Sequence, residues 1–366
     1  MIESSVEQKK LIHADWLLMF LVCLACLVGL FIVYSASGQS QEVLVKHSVR
    51  IGAGLAGMLV IAQIPPSVLK RLTPNLYLFA LLMLVSVLIF GVVGKGAQRW
   101  LDLGFMRLQP SELMKIAMPL MIAWWLNNFP LPVRIPQLIV SALLVAIPTM
   151  LIMMQPDLGT AILIAASGLV IIFLAGISWR MLASLLVLAA IILPLSYHYI
   201  LHEYQQRRIL TLFNPWEDAL GAGYHTIQSM IAIGSGGLAG KGWNSGTQSQ
   251  LDFLPERHTD FIFSVFAEEF GFLGFLLLLA LYLAIVFRGL YIAINTRSTF
   301  ARLVSGSITL TFFFYVFVNI GMVAGILPVV GVPLPLVSYG GTSMVTLLLG
   351  FGILMSVRSH RDVTAH

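Results

Sequence analysis

Charged residues and cysteines are both scarce in this 366-residue chain. Asp, Glu, Lys and Arg together make up 10% of it. The two cysteines, Cys23 and Cys26, lie on one apolar run at helical spacing, which excludes a disulfide framework and gives a redox motif no βαβ context. Hydrophobic residues make up 58% of the chain and the mean hydropathy is +0.93. This composition is typical of an integral membrane protein.

The chain also lacks a basic stripe interleaved with aromatic residues. Its formal net charge is +5, but the basic residues are scattered between apolar runs, as the positive-inside rule requires. We therefore expect no nucleic-acid partner.

Two familiar ligand motifs are incomplete. The glycine-rich segment 234–243 has Ser235 and Gly242 where a phosphate-binding P-loop needs Gly and then Ser or Thr, and the HExxH zinc pattern that starts at His202 has Gln206 as its last residue. What remains is a flexible segment carrying Lys241, whose backbone amides could approach a ligand. No metal site is predicted, although a divalent cation (Mg or Mn) shared with a pyrophosphate stays open, because such ions need only one or two carboxylates.

About ten apolar runs are long enough to be considered as membrane helices. They cover 16–34, 50–64, 76–93, 111–126, 137–154, 160–176, 181–200, 261–287, 302–325 and 343–357. The sequence thus predicts an all-α integral membrane protein, a single polytopic membrane domain over 1–366, with a large external loop at 201–260 between helices 7 and 8. Within that loop, the apolar spacing of 224–231 predicts an amphipathic helix on the membrane surface.

The distribution of Lys and Arg predicts the orientation. An even number of spans puts both termini on one side, and the four connecting loops on that side contain basic residues but no Asp or Glu. We therefore expect both termini to be cytoplasmic. Lys46, Arg50, Lys95, Arg99 and Arg107 then fall in short external loops. They either contact lipid headgroups or form a site for an anionic, membrane-embedded ligand.

Glu112 and Lys115 are ionisable residues on an apolar helix, at i and i+3, where opposite charges face each other. Ionisable groups at membrane depth are costly and suggest function. A structural ion pair is the alternative. Gln109 or Ser111 could cap this helix.

Asp260 directly precedes a long apolar run, in the segment PERHTDFIF. It could cap the helix that follows, or it could act as a general base at the membrane boundary, with Arg257, His258 and Thr259 as its setting. Glu268 lies about 12 Å deeper and about 80° around the helix, so we expect it to share a cavity with Asp260. Glu269 falls on the opposite face and should pair elsewhere.

The uncharged segment 319–343 is rich in Pro and Gly. Irregular backbone at membrane depth survives only where protein or a hydrated cavity covers it, so a broken segment lining a pocket is expected, with Asn319, Ser338 and Thr342 as its polar groups. A simple apolar hairpin is the alternative.

Several of these stretches together resemble the SEDS family (shape, elongation, division, sporulation), and the elongation branch more than the division branch. They are YSASGQS at 34–40, AQIPP at 62–66, KGAQRWLDLG at 95–104, QPSELMKIA at 109–117, QPDLGTAI at 155–162, GAGYHTIQSMIAIGSGGLAGKGW at 221–243 and PERHTDFIF at 255–263, with the stretch 319–343. The resemblance implies a ten-helix peptidoglycan glycosyltransferase that polymerises lipid II. It also implies a class B penicillin-binding transpeptidase and other elongation-complex proteins as partners.

The family's functional residues fall on specific positions of this chain. Its essential aspartate falls on Asp260, its intramembrane glutamate and lysine on Glu112 and Lys115, and a basic residue before its second helix on Lys46. The enzyme would lie in the bacterial cytoplasmic membrane with its site facing the periplasm. Lys46, Arg99, Lys115, Lys241 or a divalent ion could neutralise the leaving pyrophosphate. A lipid II flippase and a non-catalytic scaffold are the alternatives.

Overall fold

The computed structural model describes residues 13–360 except 95–96, 103, 105–106, 178, 200–205, 207–209, 220, 222, 252 and 255. Ten long helices dominate these residues. They are α1 (Trp16–Ala36), α2 (Gln41–Ala62), α3 (Pro66–Phe90), α4 (Pro110–Leu126), α5 (Ile135–Met154), α6 (Leu158–Leu174), α7 (Trp179–Tyr199), α9 (Ile262–Ile294), α10 (Thr299–Val323) and α11 (Thr342–Ser359). A shorter helix, α8 (Tyr224–Ser235), lies in the long connection between α7 and α9.

These ten helices coincide with the ten predicted runs, so the helical fold is confirmed. Within the described residues, seven of them (α1, α2, α3, α5, α9, α10 and α11) are at once long enough and apolar enough to cross a membrane, and α6 is apolar but only 17 residues long. The second run was predicted too short. The helix starts at Gln41, because the Ser40 hydroxyl caps it by accepting from the amide of Val43. The apolar run begins later in the sequence because the first turns of this helix are polar.

A small antiparallel sheet joins α3 to α4 and was not predicted. Strands β1 (Val92–Gly94), β2 (Ala97–Asp102) and β3 (Arg107–Leu108) pair in that order. Residues 92–102 carry the β-branched and aromatic side chains that favour strands, but the runs are too short to stand out from the adjoining helix. The sheet matters because β2 carries Arg99 and β3 carries Arg107.

An ionic cluster joins the start of α1 to the ends of α9 and α11. Asp15 pairs with Arg288 at 2.6 Å and with Arg358 at 4.0 Å, and the rings of His13 and His360 stack at 4.3 Å. Residues 13 and 360 therefore lie on the same side of the helix bundle.

Helix α9 is broken at Gly271, whose backbone (φ 63°, ψ −161°) is open only to glycine. The glycine-rich segment pairs with the backbone at this break. The amides of Lys241 and Gly242 donate to the carbonyls of Glu268 and Glu269, while the amide of Phe272 donates to the segment at Gly237. The expectation that this segment presents its amides to a ligand is therefore wrong for Lys241 and Gly242, because both amides bond within the protein.

The close backbone contact at the break predicts different effects of substitution at Gly240 and Gly234. A Cβ added at Gly240, where φ is +79°, would lie 2.1 Å from the carbonyl oxygen of Glu269, whereas one added at Gly234 would meet nothing within 4 Å. We expect Gly240→Ala to destabilise the protein by more than about 2 kcal/mol, and Gly234→Ala to be tolerated. Thermal unfolding of the purified variants in detergent measures both. Equal melting temperatures for the two variants would contradict this account of the break.

Candidate functional site

A deep cavity of about 850 Å³ opens between the helices and the irregular segments beside them. Its walls come from β2, the first turns of α4 and α6, the middle of α10, the first half of α11, the turn before α9 and the segment 329–333. Both polar and apolar side chains line it. Five of the predicted site residues lie on its wall: Arg99, Glu112, Lys115, Thr259 and Asp260.

Asp260 lies in the turn 256–261 and not on the helix. Helix α9 begins at Ile262, its N-cap residue is Phe261, and that helix start has no side-chain cap hydrogen bond in the described structure. The capping interpretation of Asp260 is therefore wrong. The Asp260 carboxylate borders the cavity opposite Gly331, where an added Cβ would lie 3.5 Å from Oδ2.

The turn that carries Asp260 is held by the irregular segment after α10. The side-chain amide of Asn319 donates to the carbonyl of Asp260 at 2.9 Å and to that of Val332 at 2.6 Å. The Ser338 hydroxyl donates to the carbonyl of Thr259 at 2.7 Å, and the amide of Tyr339 donates to that of His258 at 2.8 Å. The predicted irregular backbone is present.

Asn319 and Ser338 were predicted as polar groups of the pocket, but the structure gives them a different place. Both are buried, and neither is among the described residues that line the cavity. Their hydrogen bonds go to backbone carbonyls and, for Ser338, also come from the amide of Leu334. They fix the turn, and only Thr342 of the three expected polar groups faces the cavity.

Glu112 and Lys115 form an ion pair at 2.7 Å inside the cavity wall, with side-chain exposures of 8% and 12%. Lys115 also lies 5.4 Å from the ring centre of Tyr315 on α10. The second carboxylate oxygen of Glu112 is buried, with no hydrogen-bond partner among the described residues. Gln109 is the N-cap residue of α4, but its side chain bonds Asp157 and caps nothing.

Arg99 reaches the cavity from strand β2. Its guanidinium lies 3.7 Å from the Asp157 carboxylate and donates to the carbonyl of Pro156 at 2.5 Å. Asp157 in turn caps α6 by accepting from the amide of Thr160. Arg107, on β3, lines the same wall and pairs with Asp102 at 3.6 Å.

The cavity also contains residues that were not predicted, of which His225 is the clearest. Its ring stacks on Phe261 with centroids 5.7 Å apart, next to Asp260 in the chain. Burial lowers the pKa of His225, and the nearby Glu256 carboxylate opposes this only in part. Helix α8 was predicted, and it packs Ile227, Ser229 and Ala232 against the protein. That packing is what brings His225 to the site, and a single sequence gives no signal for it. The position of this helix at the membrane surface stays a prediction.

Five other predicted site residues are described but do not line the cavity: Lys46, Lys241, Arg257, His258 and Glu268. Lys46 pairs with Glu42 on the exposed start of α2. Arg257 approaches the backbone at Gly38, and the ring of His258 packs edge-on against Tyr339. Lys95 lies outside the described residues.

Glu268 is fully buried, but away from the cavity. It accepts from the ammonium group of Lys241 at 2.8 Å, the hydroxyl of Thr247 at 3.1 Å and the amide of Gln248 at 3.0 Å. The glycine-rich segment packs over this side of α9 at the break. The angular position of Glu268 on the helix gives no information about that packing. Glu269 faces the other way, as expected, and accepts from Ser35 on α1.

This arrangement predicts the role of Lys241. Lys241→Met would leave the Glu268 carboxylate buried without a counter-charge, so we expect a loss of up to about 3 kcal/mol in stability. The double variant Lys241→Met with Glu268→Gln should recover part of it, because the uncompensated charge is gone. Thermal unfolding measures both. A Lys241→Met protein of unchanged stability with a raised KM would instead indicate contact with the substrate.

A bundle of membrane helices around a cavity, with the carboxylates of Glu256 and Asp260 on a turn at its wall, defines a multi-pass membrane protein with a site between its helices. Residues 15–363 match the family model FTSW_RODA_SPOVE, described as cell cycle protein. The chain belongs to this family, as its motifs predicted.

Named relatives are similar along almost the whole chain. Peptidoglycan glycosyltransferase MrdB of Escherichia coli (strain K12) is 53% identical over 346 residues, 94% of each chain. The probable peptidoglycan glycosyltransferase FtsW of Geobacter metallireducens is 36% identical over 365 residues, 95% of each chain.

Two solved structures share the fold. A chain from a study titled "Structural coordination of polymerization and crosslinking by a peptidoglycan synthase complex" matches with a TM-score of 0.83 at 33% identity, covering 95% of this chain and 98% of that one. The crystal structure of Thermus thermophilus rod shape determining protein RodA matches with a TM-score of 0.72 at 31% identity, covering 95% and 97%.

Proposed function

We propose that this protein polymerises lipid II into glycan strands during cell elongation, with Asp260 as the general base. The broader prediction, a peptidoglycan glycosyltransferase, is confirmed by the named relatives and the structural match. The observation that carries the finer proposal is the position of Asp260, which borders the cavity on a turn fixed through its own backbone carbonyl.

The reaction is a single displacement at a sugar carbon. The Asp260 carboxylate accepts the proton of the 4-hydroxyl of the acceptor GlcNAc, and that oxygen attacks the anomeric carbon of the donor MurNAc. The bond from that carbon to the lipid pyrophosphate breaks, and the pyrophosphate leaves with the electron pair. Inversion turns the α-linked pyrophosphate into a β-1,4 glycosidic bond.

Positive groups at the cavity wall support binding of the leaving pyrophosphate. Arg99 and Arg107 line it, each with a carboxylate at 3.6–3.7 Å, while Lys46 and Lys241 pair with carboxylates away from the cavity. The first turns of α4, α6 and α11 also border the cavity. Those of α4 and α6 already have the carboxylates of Glu112 and Asp157, whereas α11 starts with no acidic residue and no side-chain cap in the described structure. Helix N-termini attract anions through their unpaired backbone amides.

The charge of the cavity favours a divalent cation brought with the pyrophosphate. Its described lining contains four carboxylates, on Glu112, Asp157, Glu256 and Asp260, against the three basic side chains of Arg99, Arg107 and Lys115. An anionic substrate would therefore enter a site that already carries excess negative charge. The turn carboxylates Glu256 and Asp260 could supply the one or two protein ligands that such an ion needs, and the ion would offset the charge on the leaving group.

Removal of divalent cations tests this part of the proposal. We expect EDTA to suppress polymerisation of lipid II by the purified protein, and excess Mg²⁺ or Mn²⁺ to restore it. A parallel sample with EDTA already saturated by Ca²⁺ or Mg²⁺ controls for effects of the chelator itself. Full activity in EDTA would contradict a requirement for the ion.

The distribution of Lys and Arg among the loops supports the membrane orientation. Residues 13 and 360 lie on one side of the bundle and the cavity is bordered by the opposite helix ends. With the basic loops inside, both termini are cytoplasmic and the site faces the periplasm across the bacterial cytoplasmic membrane. The structural match to a chain of a peptidoglycan synthase complex supports a crosslinking partner, which we propose to be a class B penicillin-binding transpeptidase.

The central experiment replaces Asp260. Asp260→Asn removes the base but keeps the side-chain shape, so we expect turnover to fall by about 10²- to 10⁴-fold, with insertion into the membrane unchanged. Gel analysis of glycan chains made from lipid II by the purified protein measures this. Glu217→Gln, an exposed change on the same loop region, is the matched control.

Near-normal polymerisation by Asp260→Asn would contradict the assignment of Asp260 as the general base. If the wild-type protein leaves lipid II monomeric, the flippase and scaffold alternatives take its place.

A further inference from the structure

The deep part of the cavity contains polar groups to which no role has yet been given. Thr311 and Tyr315 lie one turn apart on α10, on the helix face that also presents Ile308 and Phe312 to the cavity. Across from them, α4 presents Glu112 and Lys115. Two facing helices therefore enclose a polar chamber within the membrane-spanning part of the bundle.

Three oxygen atoms of this chamber lack partners. The Thr311 hydroxyl, the Tyr315 hydroxyl and the second Glu112 carboxylate oxygen are buried, and none has a hydrogen-bond partner within the described part of the chain. Each unpaired buried polar group costs stability, and water cannot compensate from the surrounding bilayer. Three such atoms on the two facing helices of one chamber indicate a partner from outside the chain.

The charge of the chamber selects the kind of partner. Lys115 and Glu112 neutralise each other at 2.7 Å, and the ammonium group also faces the Tyr315 ring. A pyrophosphate here would add net charge to a neutral, poorly solvated environment, which is costly. Hydroxyl and acetamido groups can donate to and accept from these atoms without that cost.

We propose that Thr311 and Tyr315 bind the carbohydrate of the lipid-linked substrate through hydrogen bonds to its neutral polar groups. This inference rests on the proposed function and adds residues from α10 to the site. The chamber holds the sugar, whereas the arginines and the N-terminus of α11 at the outer wall hold the pyrophosphate.

Single-atom substitutions test the proposal. Tyr315→Phe and Thr311→Val each remove one hydroxyl and keep the shape. Because these hydroxyls lack protein partners in the described structure, a purely structural role predicts unchanged or higher thermal stability and an unchanged KM. We expect unchanged or higher stability but a KM for lipid II that is raised roughly three- to tenfold by each variant, as the loss of one neutral hydrogen bond implies.

Ser307→Ala is the matched control. Ser307 lies on the same helix and its hydroxyl is also buried without a partner among the described residues, but it does not line the cavity. We expect this variant to keep the wild-type KM, and Thr311→Ser to recover affinity relative to Thr311→Val.

Wild-type KM in both Tyr315→Phe and Thr311→Val would overturn the inference and leave water as the occupant of the chamber. So would a lowered melting temperature in both, which would show that the hydroxyls stabilise the fold. Asp260→Asn in the same assay distinguishes a failure of this inference from a failure of the proposed function, because it tests the general base and does not depend on the chamber.

Discussion

The hydrogen bonds between the turn 256–261 and the irregular segment after α10 are the constraint on which the site depends. Asn319 joins the carbonyls of Asp260 and Val332, and Ser338 joins the backbone at Thr259 and Leu334. Both side chains are buried, and their donor groups are satisfied by these backbone carbonyls. The carboxylate that we propose as the general base is thus positioned through its main chain, and Asp260 borders the cavity.

The carboxylates of Asp260, before α9, and Glu268, within it, have different surroundings. Asp260 precedes α9 and borders the cavity, whereas Glu268, two turns further on, is enclosed by Lys241 and the loop after α8. The break at Gly271 frees backbone groups of α9, and the glycine-rich segment satisfies them. A glycine-rich sequence that suggests phosphate binding here serves close packing of one backbone on another.

The helices could be predicted from the sequence because runs of apolar residues at bilayer length are a strong signal. Glu112 and Lys115 could be paired because their spacing on one helix fixes their geometry. The placement of Glu268, His225 and Asn319 could not be predicted, because it depends on which segments pack together across long stretches of chain. Treating residues 260–268 as one straight helix put Glu268 beside Asp260. In the structure Asp260 lies in the turn before the helix, and the glycine-rich segment covers Glu268.

The outer wall and the deeper part of the cavity differ in charge, and the chemistry of a lipid-linked sugar gives a physical reason for that difference. A lipid-linked sugar carries its negative charge on the pyrophosphate and neutral hydroxyl and amide groups on the carbohydrate. Arg99, Arg107 and the N-terminus of α11 border the outer wall, where water can still stabilise ions. Deeper in, the Glu112–Lys115 pair cancels its own charge. The substrate that we propose would therefore bind with its pyrophosphate at the outer wall, because the reverse orientation would bury the charged group in the region that stabilises it least. In that orientation the negative charge that develops on the leaving pyrophosphate would stay beside the arginines.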